Sequence, residues 1–322
     1  MKTRALTRAT ALCDIIPDRA TALSVMFKVA KLKQEELMPR TPAIDVSVRP
    51  MPREIAHRYG RLPEYRHIFE HIFKRPEVIN DGIPLEEMAA EMDRHNIEQI
   101  LVSGYDARKT RDLHVENDWV VGLTKAMPGR VIPGVGIDPT RDIMESLEEI
   151  DRCARDHGFR FLRMLPYAAD LNPDDRRFYP IYAKCCELDM AVWLQVGHTA
   201  GLMPSEPGRP IHLDRIALDF PRLKIIGGHI GWPWETEMIA MALKHPNVYL
   251  STCAHAPDHW PDSVVQFLKT RGKRKVIFGT NWPYIGYDRY FEKFDQLGLD
   301  EATERLFLRD NLLRVLGLPQ ES

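Results

Sequence analysis

The stretch Ala43-Ile44-Asp45-Val46-Ser47-Val48-Arg49-Pro50-Met51-Pro52-Arg53 decides the fold. Its first half is a short β-branched run of the kind that forms a buried strand. Its second half holds no glycine, so it lacks the glycine-rich phosphate turn that follows the first strand of a doubly wound open sheet. Outward from there the chain keeps one rhythm. Short β-branched runs at 43–48, 99–103, 131–137, 159–164, 191–196, 224–228, 247–251 and 275–279 end in Gly, Ser, His or Asn, and segments of helical period separate them. Leu85, Met88, Ala89 and Met92 form one apolar stripe, Ile143, Leu147 and Ile150 a second, and Leu213, Ile216, Ala217 and Phe220 a third. Eight such strands alternating with amphipathic helices predict right-handed βαβ units closed into a single (β/α)8 TIM barrel of the α/β class.

The chain has 322 residues, more than the roughly 250 that a barrel uses. The surplus reads as an N-terminal arm over 1–41, broken by Pro17 and Pro39, and a lid-like insertion over 50–84 within a barrel domain of 42–322. His57, His67 and His71 lie in that insertion among charged and aromatic residues, where solvated histidine is the plainer reading. With 44 Lys plus Arg against 46 Asp plus Glu, the net charge of −2 gives no field to draw a polyanion, which argues against a nucleic-acid partner. No run of about 18 apolar residues is present to span a bilayer, so a membrane partner is not expected. The five cysteines are odd in number, and adjacent Cys185 and Cys186 sit in an amphipathic helix pattern. They read as thiols of a reducing compartment, and the expected location is cytoplasmic. A small molecule is the expected partner, and a homodimer the expected assembly.

In a barrel, residues just beyond the C-terminal ends of the strands share one mouth, however distant in sequence. That filter selects Ser47 and Arg49, Arg163 and Tyr167, His198, His229, His255, and Asn281 with Trp282. His229 is the first candidate for general acid/base, with His198 beside it, because free imidazoles titrate near pH 6.5. Gly227, Gly228 and Gly231 would let the backbone approach a ligand, and Trp232 and Trp234 would wall the pocket, while Trp282 reads equally as pocket wall or core. Arg163, and Arg209 in the loop 204–210, are candidate anion binders, although an arginine at a strand end equally well pairs with a neighbouring carboxylate. Ser47 could be a nucleophile only with a base beside it. Asp45 reads as a brace.

These residues also carry a resemblance. Lys224-Ile225-Ile226-Gly227-Gly228-His229-Ile230-Gly231, Asn247-Val248-Tyr249, Phe278-Gly279-Thr280-Asn281-Trp282-Pro283 and Asn311-Leu312-Leu313-Arg314-Val315-Leu316-Gly317-Leu318 resemble the last strands and closing helix of the amidohydrolase-related barrels. That group includes aminocarboxymuconate-semialdehyde decarboxylase and related aromatic-acid decarboxylases. His198-Thr199-Ala200-Gly201 and Gly158-Phe159-Arg160-Phe161-Leu162-Arg163 are similar to its fifth- and fourth-strand segments. The resemblance runs from about Pro42 to Leu318.

The departures matter more. Members of that group usually end the first strand with Ile-Asp-x-His-x-His, whose histidines bind a divalent metal, and the eighth with Gly-Thr-Asp or Gly-Ser-Asp. This chain has Ser47, Arg49 and Asn281 at those places. Hydroxyl and amide oxygens are weak ligands for a zinc-type ion and guanidinium repels it, so the expected cofactor is none. A metal rebuilt on His198 and His229, with His255, is the alternative. A divalent metal with one aspartate carries about +1, and Arg49 with neutral Asn281 also carries about +1. The resemblance thus implies a metal-independent hydrolase or decarboxylase, hydrolysis first, acting on a small carboxylated cyclic or unsaturated substrate. Arg49 would hold the charge, with Arg163 or Arg209, and His229 would move the proton. The competing reading is a catalytically silent barrel serving as an accessory or assembly partner of another enzyme.

Overall fold

The computed structural model of the chain describes residues 41–320, so most of the expected N-terminal arm, with Cys13, lies outside the described residues. Ten strands are described: β1 (Ala43–Asp45), β2 (Ile97–Ser103), β3 (Tyr105–Ala107), β4 (Leu113–Val115), β5 (Val131–Gly136), β6 (Phe161–Met164), β7 (Ala191–Gln195), β8 (Ile225–Gly228), β9 (Val248–Ser251) and β10 (Val276–Ile277). Eight of them form one sheet in the order β1-β2-β5-β6-β7-β8-β9-β10, and every adjacent pair is parallel.

The sheet curls round until its ends meet. Val46 donates its N–H to the Phe278 carbonyl at 3.2 Å, Arg49 donates to the Trp282 carbonyl at 2.8 Å, and Val48 bridges Trp282 in parallel. A parallel sheet needs helices over its outer face, and the expected stripes supply them. The helix Leu85–Arg94 buries Met88 and Met92, Ile143–His157 buries Ile150, and His212–Asp219 buries Leu213, Ile216 and Ala217. Asp142 caps the second of these, accepting from the Met144 and Glu145 amides, and Gly158 ends it in the left-handed region. Asn311 fixes the closing helix to the last strand by donating to the Lys273 and Val276 carbonyls, 2.8 Å each.

The antiparallel pair β3–β4 was not expected from the sequence. The insertion is helical, with helices Arg53–Gly60 and Pro63–His67, a π-helical turn Ile68–Ile72 and a helix Pro76–Asn80. Among the described residues no helix is long and apolar enough to cross a membrane, and Cys153, Cys185, Cys186 and Cys253 are free thiols.

Candidate active site

A cavity of about 250 Å³ opens at the C-terminal ends of the strands. Arg49, His198, His229, His255 and Asn281, drawn from five strand ends, all line it. Gln195, Thr199, Ala200, Ala254 and Tyr167 line it too, and Tyr65, Ile68, Ile72 and Phe73 of the insertion with Tyr284 close one side. The insertion is therefore a wall of the site. His57, His67 and His71 do not line the cavity: His57 donates to the Asn80 carbonyl at 3.1 Å, and His67 and His71 pack together with ring centroids 5.0 Å apart.

Arg49 follows β1 and is half-buried. Its Nη1 donates to the Tyr59 hydroxyl at 3.0 Å, its guanidinium carbon lies 6.0 and 5.7 Å from the Tyr59 and Tyr105 ring centroids, and its buried Nε has no partner. Tyr65 and Tyr105 share a hydrogen bond of 2.5 Å behind it. Arg163 points from β6 into the barrel, fully buried, its guanidinium stacked 4.0 Å above the Trp193 ring centroid. The Trp193 ring fits there because Gly228 has no side chain, since a Cβ at Gly228 would fall 2.2 Å from Trp193 Cζ2. That corrects the expectation for this glycine, which makes room for packing rather than for a ligand. Arg163 Nη2 donates to Ser47 Oγ at 3.0 Å, and Ser47 Oγ donates to Asn281 Oδ1 at 3.1 Å. Neither arginine has a carboxylate partner among the described residues. Burial and the neighbouring Arg49 push the Arg163 guanidinium down to about 9.

His229, at the end of β8, adopts φ +62° with Ile230 at +61°, and its N–H donates to Cys253 Sγ at 3.2 Å. A non-glycine residue in that region is held there by its surroundings. Its buried Nε2 has no partner. Burial, then the positive charge of Arg163, hold its imidazole well below the ordinary range. Burial lowers His198, and burial with the nearby His198 lowers His255 to about 4. These effects favour the neutral form of all three imidazoles. Gln195 braces the His198 turn by donating to the carbonyls of Val196, Gly197 and His198, and leaves its own Oε1 buried without a partner. Buried orphans are rare in native proteins; those on Arg49, His229 and Gln195 belong to residues that line this cavity, and that on Arg163 lies behind Ser47.

Five expected site residues stand off the cavity, Arg163 among them. Arg209 is an ion-pair partner of Glu237, with Trp234 stacked 5.5 Å from its guanidinium, and neither residue lines the cavity. Trp282 is buried, donating Nε1 to Glu91 Oε2 at 2.8 Å, so it belongs to the core at the seam. Ser47 lies between a guanidinium and an amide, with no base among the described residues hydrogen-bonded to its hydroxyl to activate it as a nucleophile. Asp45 is the brace it was read as: Oδ1 accepts from the Ser47 and Thr280 amides and Oδ2 from the Thr280 hydroxyl, tying β1 to the last strand, while burial raises its carboxyl to about 6. The tyrosines around Arg49 were mostly missed, because four of the five lie in the insertion, in the β3–β4 pair or beyond Asn281, where strand-end counting does not reach.

The donor set does not fit a divalent metal. Among the described residues no group of three or more His, Cys, Asp or Glu is placed to hold one. The two berths that would need imidazole hold a serine engaged by Arg163 and a cation.

A family model described as amidohydrolase matches residues 81–318. The chain belongs to the amidohydrolase family. Its relatives include a hydratase and aromatic-acid decarboxylases. The chain is 28% identical to a 2-keto-4-carboxy-3-hexenedioate hydratase of Sphingobium, in a match spanning 55% of this chain and 62% of the hydratase, less than two thirds of its length. A TIM-barrel protein of Bordetella bronchiseptica is similar in structure at TM-score 0.73 and 28% identity, covering 85% of this chain and 98% of that one. So is 5-carboxyvanillate decarboxylase of Novosphingobium aromaticivorans, solved with manganese, at TM-score 0.66 and 19% identity, covering 87% and 97%.

Proposed function

We propose that this family member is a metal-independent hydrolase of a small, planar carboxylate, with Arg49 holding the substrate's negative charge and His229 moving the proton. The observation that carries the proposal is the pair of guanidiniums, Arg49 and Arg163, with no carboxylate among the described residues to neutralise them. An uncompensated charge out of water costs several kcal/mol, about what a bound anion would return. A planar carboxylate suits Arg49's fork, and the rings of Tyr65, Tyr167, Tyr284 and Phe73 suit a flat, unsaturated body. At about 250 Å³ the cavity is below the range of drug-sized sites, which argues for a small acid.

A neutral imidazole accepts protons, which favours activating water over donating to carbon. His229 takes a proton from water, and the hydroxide oxygen bonds to the substrate carbonyl carbon. The carbon–oxygen bond to the leaving group then breaks, and His229 returns the proton to the departing oxygen. An anion on Arg49 cancels part of the positive field on His229, so the imidazole is more basic when substrate is present. The decarboxylase among the fold relatives favours a second reading, loss of carbon dioxide, for which His229 must first be charged.

The test is a panel of lactones and of aromatic and muconic acids, run in oxygen-18 water on wild type and His229→Ala. Hydrolysis predicts one heavy oxygen per product and loss of turnover in the variant. Carbon dioxide released with no heavy oxygen in the organic product would move the assignment to decarboxylation, and absence of turnover and binding across the panel would leave the silent barrel.

A further inference from the structure

We infer that Arg163, Ser47 and Asn281 form a one-way hydrogen-bond relay that presents the Asn281 amide N–H to the cavity, so that the site binds an acceptor oxygen there. The substrate part of this inference rests on the anion-binding reading above. The relay itself does not.

Direction follows from the inventory of donors. A guanidinium only donates, so Arg163 Nη2 must give its hydrogen to Ser47 Oγ, 3.0 Å away. Ser47 is wholly buried, and its hydroxyl has one hydrogen to place. The acceptor within reach is Asn281 Oδ1 at 3.1 Å. If the amide were turned the other way, Nδ2 would also donate to Ser47 Oγ, and the serine proton would be buried without an acceptor, which costs about 1–3 kcal/mol. The oxygen of Asn281 is therefore engaged below, and its Nδ2 has no partner among the described residues although the side chain lines the cavity.

The backbone holds the amide in place. Asn281 sits at φ +66°, a conformation asparagine tolerates better than most residues, and its neighbour Thr280 is clamped to Asp45 by two hydrogen bonds. Arg163 does not line the cavity, so it acts through this chain: each donated bond polarises the next, and the cation strengthens the terminal N–H as a donor. The ligand atom facing Asn281 is then a carbonyl, carboxylate or enolate oxygen. An ammonium or a bare hydrogen-bond donor is refused. Ser47 and Arg163 are positioning residues, and Asn281 is the group that touches the ligand.

The experiment uses full-length protein labelled with nitrogen-15 at asparagine, with the Asn281 side-chain signal assigned by its loss in Asn281→Asp and benzoate as the probe anion. Ser47→Ala should shift and broaden the Asn281 amide pair, Ser47→Thr should restore it, and Arg163→Lys should shift it from the other end of the chain. Saturating benzoate should move the same pair in wild type, and Ser47→Ala should weaken benzoate about tenfold, as expected for one misdirected hydrogen bond. An Asn281 signal indifferent to both Ser47→Ala and Arg163→Lys would overturn the relay, even if benzoate still bound. A signal that responds to those substitutions but never to benzoate would uphold the relay and sink the anion-binding reading.

Discussion

Replacing Arg49 by methionine separates a ligand-binding cation from a structural one. In the free protein the Arg49 side chain makes, among the described residues, one hydrogen bond, to Tyr59 at 3.0 Å, and two cation–π contacts at 6.0 and 5.7 Å. Losing the bond costs about 1.5–3 kcal/mol and the ring contacts about 0.5–1 kcal/mol each. Against this, methionine removes a half-buried charge whose penalty is several kcal/mol, and it relieves the repulsion that helps push Arg163 down to about 9. The two sides nearly cancel, so Arg49→Met should leave unliganded stability within about 2 kcal/mol of wild type. At roughly 2–4 °C per kcal/mol the melting point should move by no more than several degrees. Removing half of a buried ion pair would instead cost about 3–5 kcal/mol, or about 6–20 °C. Benzoate at a hundred times its dissociation constant should stabilise wild type by about 2.7 kcal/mol, and that gain should vanish in Arg49→Met. Thermal unfolding with and without benzoate reads both numbers. A variant that melts more than about 10 °C early without ligand, or that keeps the benzoate shift, would refute the reasoning.

Turnover on any substrate found should fall at least about a hundredfold in His229→Gln while substrate affinity stays within a few-fold, as steady-state kinetics would show. The ratio kcat/KM, which reports the unliganded enzyme, should be level from pH 8 down through pH 6, because burial and Arg163 hold His229 well below its ordinary range; an acid limb centred near 6.5 would contradict this. Stability should fall as pH drops from 6.5 toward 4. The unfolded chain protonates His229 and His255 near 6.5, whereas burial holds folded His255 down at about 4 and His229 low, so each costs up to about 1.4 kcal/mol per pH unit. Asp45, raised to about 6, binds its proton more tightly when folded and offsets roughly one of them over part of that window. Urea midpoints at pH 7 and pH 5 would test the sign. Chelation should leave benzoate binding unchanged, and elemental analysis should find well under one metal per chain; binding lost on chelation and restored by manganese would overturn this.

The eight strands were readable because most are β-branched or aromatic apolar runs followed by a glycine or polar residue, and a parallel strand buried on both faces leaves that mark. The β3–β4 pair was not, since Tyr105–Ala107 and Leu113–Val115 are three residues each around a charged turn. Position at strand ends found Arg49, His198, His229, His255 and Asn281, because topology alone brings those ends together. It could not tell that Arg209 would meet Glu237, or that Trp282 would turn toward Glu91, because both depend on helix faces whose rotation no spacing in the chain reveals. The Ser47 link between Arg163 and Asn281 was beyond reach for the same reason: it joins side chains more than a hundred positions apart.

The seam where Val46, Val48 and Arg49 meet Phe278 and Trp282 has a consequence for biosynthesis. The floor of the pocket joins segments from opposite ends of the barrel, a contact order that makes its assembly a late event. A nascent chain on the ribosome can fold its early βα units, yet it owns neither Asn281 nor the seal beside Arg49 until the eighth strand has emerged. Premature termination anywhere before that point leaves an inert polypeptide with an open sheet edge, a natural client for chaperones and proteases.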